Sequence, residues 1–149
     1  MRAICKNNLR LIGKNLDDLK VISAYLQDSI VSLKDVVFLK KNMTFIMIVN
    51  RFMWEDVEKG IFRQSKRIRC AIKFEQVLNV KSLNINQKNK NEPLEYLAIK
   101  CSATFDKTYE TKIFFSGDGI MTIISEVIEV VMHDLGKPWN VKHIPIHKI

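Results

Sequence analysis

The feature that most constrains this chain is the period of its apolar residues, which is two along most of its length. Ile68, Cys70, Ile72 and Phe74 fall on one side of an extended chain, and Arg67, Arg69, Ala71 and Lys73 on the other. Phe45-Ile46-Met47-Ile48-Val49 is apolar on both sides, the pattern of a strand covered on two faces and hence central. A chain patterned in this way builds sheets.

One segment departs from that period. Leu19, Ile22, Ser23 and Leu26 recur at helical spacing. Asn15 is placed to cap the start, and Asp17 and Asp18 stand in the first turn, where the helix dipole favours negative charge. A helix is predicted from Leu16 to Gln27 or Asp28. Leu9 to Ile12 reads as a short strand before it.

Strands are predicted after it at Val31 to Lys40, Thr44 to Trp54, Arg67 to Phe74 running on through Val80, and Leu94 to Phe105. In the last of these, Leu97, Ile99, Cys101 and Ala103 are expected to share a face. Thr111 to Ser116 pairs with Ile120 onward across Gly117-Asp118-Gly119, a hairpin signal. The segment from Met121 to Met132 reads as one strand whose phase slips, as at a β-bulge. Glu55 to Lys66 reads as a connection and residues 84–93 as a flexible loop. Trp139 is expected to fold back as a lid on the core edge, and residues 140–149 to form a tail. The expected fold is α+β: a curved, mostly antiparallel sheet or partly closed barrel of about six to seven strands, with one N-terminal helix packed on it. At 149 residues one domain, 1–149, is expected.

Composition narrows the functional classes. No apolar run approaches the roughly 18 residues of a membrane span, and the basic start lacks the apolar stretch of a signal peptide. A cytoplasmic protein without a membrane partner is expected. Cys5, Cys70 and Cys101 form no metal-binding or redox spacing and read as small hydrophobes. His143 and His147 are separated by Pro145, which keeps them off one helical face, so no metal is assigned. His133 and Asp134, adjacent on a strand, point to opposite faces. No catalytic residue or cofactor is assigned: there is no GxSxG, HExxH or P-loop.

Two constellations remain. Gln27, Asp28, Asn50, Arg51, Trp54 and Glu55 make a mixed polar and aromatic set of the kind found at protein interfaces, and a protein partner is the leading reading. The second is basic. The net charge is +8, and Lys66, Arg67, Arg69 and Lys73 could form a strand face that binds nucleic acid. Against it, 18 Lys, 6 Arg and 11 Asn look like an AT-rich coding bias rather than selection for phosphate contacts. A third reading places a small molecule inside the curved sheet.

Several motifs together carry a resemblance. They are Leu26-Gln27-Asp28, Asn50-Arg51-Phe52-Met53-Trp54-Glu55, Arg67, Leu97-Ala98-Ile99, Phe115-x-Gly117-x-Gly119-Ile120 and Asp134-Leu135-Gly136-x-Pro138-Trp139. Their order and spacing, from Leu9 to Trp139, resemble the DUF2948 family of alphaproteobacterial proteins. The resemblance implies a small single-domain protein and supplies no activity, cofactor or catalytic residue. The Lys- and Asn-rich character of this chain departs from that family.

Overall fold

The computed structural model describes residues 9–54 and 65–141. The chain opens with strand β1 (Arg10–Gly13) and helix α1 (Leu16–Tyr25). Asn15 caps the helix as expected: its Oδ1 accepts the Asp18 amide at 2.8 Å. The helix stops at Tyr25, earlier than its periodicity suggested. Residues 26–28 form a turn in which Asp28 takes φ +64°, outside any helix.

Eight further strands follow: β2 (Ile30–Leu39), β3 (Thr44–Phe52), β4 (Ser65–Phe74), β5 (Val77–Leu83), β6 (Pro93–Ala103), β7 (Tyr109–Phe115), β8 (Gly119–Ser125) and β9 (Val130–Val141). They form one antiparallel sheet in the order β1-β9-β4-β3-β2-β6-β7-β8-β5. β3 lies between β4 and β2, the central position its two apolar faces require.

The sheet curves until its two halves face each other. Phe45, Met47 and Val49 of β3 share one buried cluster with Tyr96 of β6, Ile113 and Phe115 of β7, and Met121 and Ile123 of β8. Leu19, Ile22 and Leu26 add the apolar stripe of the helix to that cluster. The helix is also tied by polar contacts. Ser23 Oγ accepts the Ile99 amide at 3.0 Å and meets the Tyr96 hydroxyl at 2.7 Å. At one corner the chain crosses twice between the halves, β4 to β5 and β8 to β9. The two crossings bond each other, Glu75 N to Glu129 O and Glu126 N to Gln76 O, both at 2.9 Å.

Several expectations are corrected. There are nine strands among the described residues, not six to seven. The sheet is open rather than a partly closed barrel, because β1 and β5 stand at its two edges. The phase slip near residue 126 is not a bulge: residues 126–129 leave the sheet and separate β8 from β9. β6 carries its own irregularity between Tyr96 and Ala98, opposite β7. It buries Tyr96 and turns Leu97 out, so of the stripe read from Leu97 to Ala103 only Ile99 and Cys101 face the core, while Leu97 and Ala103 are exposed. Trp139 is no lid. It lies in β9, brought opposite Arg67 by an irregularity at residues 136–138 where Gly136 takes φ +70°. Residues 142–149, most of the expected tail, lie outside the described residues, as do Cys5, His143 and His147.

Candidate functional site

Four strand-borne side chains break the binary pattern of the sheet, and they organise one end of it. Arg51 follows Phe45, Met47 and Val49 on the inner face of β3. Asp134 follows Val130 and Met132 on the inner face of β9. Arg51 is 0% exposed and Asp134 1%. They form a two-point ion pair: Arg51 Nε donates to Asp134 Oδ1 at 2.8 Å and Nη2 to Oδ2 at 2.7 Å. Asp134 Oδ2 also accepts the Leu9 amide at 3.1 Å. The Tyr25 ring at the end of α1 lies 5.8 Å from the Arg51 guanidinium carbon. Charges this deep persist only when paired and hydrogen-bonded, and these are.

On the outer face of the same end, Phe52 is fully buried beneath two other side chains. Trp54 packs edge-on to it with ring centroids 4.6 Å apart, and the Arg67 guanidinium lies 5.7 Å from its centroid. Trp54 Nε1 donates to Gln27 O at 2.8 Å. Arg67 Nη1 donates to Asp28 O and Asn50 O, each at 3.0 Å. Burial lowers the pKa of Arg67, while Asp28 and Glu95 pull it back up. Ser29 Oγ and Asn50 Oδ1 are buried here without a hydrogen bond among the described residues, a local cost of about 1–3 kcal/mol each.

Gln27, Asp28, Asn50, Arg51 and Trp54 therefore do converge, but on both sides of β3 rather than as one exposed patch. Arg51 is a buried structural residue. Glu55 lies outside the described residues. The basic strand face is reduced as well. Arg67 is committed to two carbonyls. Arg69 lies 4.0 Å from Asp35, and Lys73 lies 3.7 Å from Glu75. Lys66 alternates with Arg67 and belongs to the other side of β4.

Over residues 9–147 the chain matches the model of a protein of unknown function, DUF2948. It belongs to the DUF2948 family. No curated protein and no solved structure matches the chain. The motifs that carried the resemblance include the residues just described: the turn after α1, the end of β3, the start of β4 and the end of β9. Within this DUF2948 protein they meet in space at one end of the sheet.

Asp134 and Trp139 were not assigned to the site from sequence. A signal for Asp134 was present. An acid that continues an apolar stripe needs a buried cation, and Arg51 continues another such stripe.

Among the described residues no group of three or more His, Cys, Asp or Glu is placed to hold a metal. Cys70 is buried, and burial followed by the nearby Asp134 carboxylate pushes its thiol pKa well up. The folded state then keeps a proton that the unfolded chain gives up above about pH 8.5, so this contribution to stability is lost as pH rises beyond that value. In a Cys5→Ser, Cys101→Ser background, Cys70 is expected to resist a thiol-reactive dye at pH 8.5 until denaturant unfolds the chain. Labelling of the native protein at the rate of a free thiol would contradict this account of its surroundings.

Proposed function

We propose that this protein is a non-enzymatic cytoplasmic domain that binds another protein through the outer face of its five-stranded half. One observation carries the reading. Ile12, Val131, Lys73, Ile46 and Val37 stand side by side on β1, β9, β4, β3 and β2, cross-strand neighbours in a single row. Four of the five are apolar. Ile12 is 48% exposed and Val37 44%, and Ile46 and Val131 are half-buried. Ala71 and Ile48 extend the row toward Arg67 and Trp139, the latter 39% exposed.

The outer face of an antiparallel half-sheet is ordinarily polar. A largely apolar face, interrupted by Lys73 and His133 and bounded by Arg10, Arg69 and Asp35, is the composition of a docking surface. Arg and Trp at its end are the residue types that carry most binding energy at interfaces. The alternative, nucleic acid on Lys66, Arg67, Arg69 and Lys73, has less support because Arg67 is committed, Arg69 and Lys73 are offset, and Lys66 belongs to the other side of β4.

A photo-crosslinking residue at Val37, compared with one at Leu97 in the other half, tests the reading in native cells. The Val37 position is expected to trap a protein and the Leu97 position not. Trp139→Ala is expected to weaken that complex by about 30-fold, a loss of about 2 kcal/mol. Ile12→Asp with Val37→Asp is expected to abolish it without unfolding, since both side chains are exposed. A nuclease-sensitive, salt-sensitive complex lost on Arg69→Glu would favour nucleic acid instead.

A further inference from the structure

The two halves of the sheet do not meet along their full length. Between Val31 and Val36, four residues of β2 (32–35) stand against Ile48 of β3 alone, so β2 bows away from β3. Beside this bow lies a recess of about 280 Å³ between β2 and β3 on one side and β5 and β8 on the other. Leu33, Val36, Phe38, Phe45, Val80 and Met121 line it. Phe45 and Met121 are core residues, so the recess reaches the shared core. Its rim is polar and basic: Lys90, Ser82 and Gln87 contribute, Lys81 borders it from the other side of β5, and no acid among the described residues lines it. Two hydrogen bonds shape the rim, Gln87 Nε2 to Ser82 Oγ at 2.7 Å and Lys34 N to Lys90 O at 3.2 Å.

We infer that this recess binds a small apolar carboxylate, an acyl chain with its head at Lys90. The inference is independent of the docking face, which lies on the other side of the sheet. Apolar walls with one polar end are the usual make-up of a ligand site. In a protein interior about 150 Å³ holds benzene, so about twice that volume suits a ligand of roughly ten to twelve heavy atoms. The rim offers Lys90 as a point charge rather than a cradle of backbone amides, which suits a singly charged head better than a phosphate. A second recess, about 610 Å³ between α1 and β6, is walled by two elements only and carries Asp17 beside Lys20 and Lys100. It lacks this polarity from wall to rim.

Decanoate is the probe, with 1-decanol and decylamine as controls, read by calorimetry and by saturation-transfer NMR. Decanoate is expected to bind with a dissociation constant below about 1 mM, and decylamine more weakly. Lys90→Glu is expected to weaken decanoate about tenfold and to leave decanol unchanged. Ser82→Phe, at an exposed position on the edge strand, is expected to block both. The inference is overturned if decanoate shows no binding at about 1 mM. It is equally overturned if the lysine variant binds decanoate as the wild type does, or if Ser82→Phe does.

Discussion

Replacing Arg51 by Met is expected to cost about 3–5 kcal/mol of stability, because it strands the Asp134 carboxylate in the core. Asp134 would lose both guanidinium bonds and keep the Leu9 amide and the Cys70 thiol. For a chain of 149 residues each kcal/mol moves the melting temperature by about 2–4 °C, so a fall of roughly 6–20 °C is expected by calorimetry. Removing both charges tests the cause. Arg51→Met with Asp134→Leu removes both members of this pair and leaves an apolar filling of similar volume, and it is expected to regain most of the loss. If the double variant were as unstable as the single one, the loss would come from packing around Tyr25 and Phe52 rather than from the charge. If Arg51→Met cost less than about 1 kcal/mol, the pair would be behaving as a solvated surface bridge. The double variant also separates structure from recognition, since the docking face does not include either side chain.

The ion pair shows what a sequence of this kind yields and what it withholds. Strand existence was legible wherever the period of two was clean, as in β4, or where an apolar run was too short for a helix, as in β3. The Asn15 cap and the Gly117-Asp118-Gly119 hairpin were legible because single residues set those conformations. Phase was not legible where a strand is irregular. One extra residue in β6 turns Leu97 outward, and two in β9 bring Trp139 back opposite Arg67. Such irregularities are set by pairing with a distant strand and leave no mark on local hydropathy.

The candidate site was half legible for the same reason. Arg51, Trp54 and Asn50 are close in sequence and could be read as a group. Whether each faces the core or the solvent depends on what covers the two sides of β3, and that comes from β4, β9, α1 and the turn after it. Arg67 illustrates the limit. Its charge and exposed parity suggested a nucleic-acid contact, yet its guanidinium bridges two backbone carbonyls over Phe52.

Phe45→Ala is expected to lower stability by about 3–5 kcal/mol, the cost of truncating a buried aromatic. Phe45 is 1% exposed and packs edge-on to Phe74 with ring centroids 6.0 Å apart. It lies in the cluster that the two halves share, so the result bears on whether they unfold as one unit. Three features argue that they do. β2 pairs with β3 and with β6, so no strand boundary divides the halves. The two crossings at residues 75–76 and 126–129 are hydrogen-bonded to each other. Helix α1 is bonded to β6 while its Tyr25 ring faces Arg51 of β3. In urea, the midpoint should fall while the slope, which follows the surface exposed, stays the same. The two tryptophans offer a discriminating probe. Trp139 is on β9 and Trp54 follows β3, so indole fluorescence reports the five-stranded half, whereas far-ultraviolet dichroism reports all nine strands. Coincident curves from both probes are expected in the wild type and in Phe45→Ala. A fluorescence transition that precedes the dichroism transition in the variant would mean that the β2–β6 pairing joins two separately stable sheets. The core cluster would then be a contact between units rather than the centre of one.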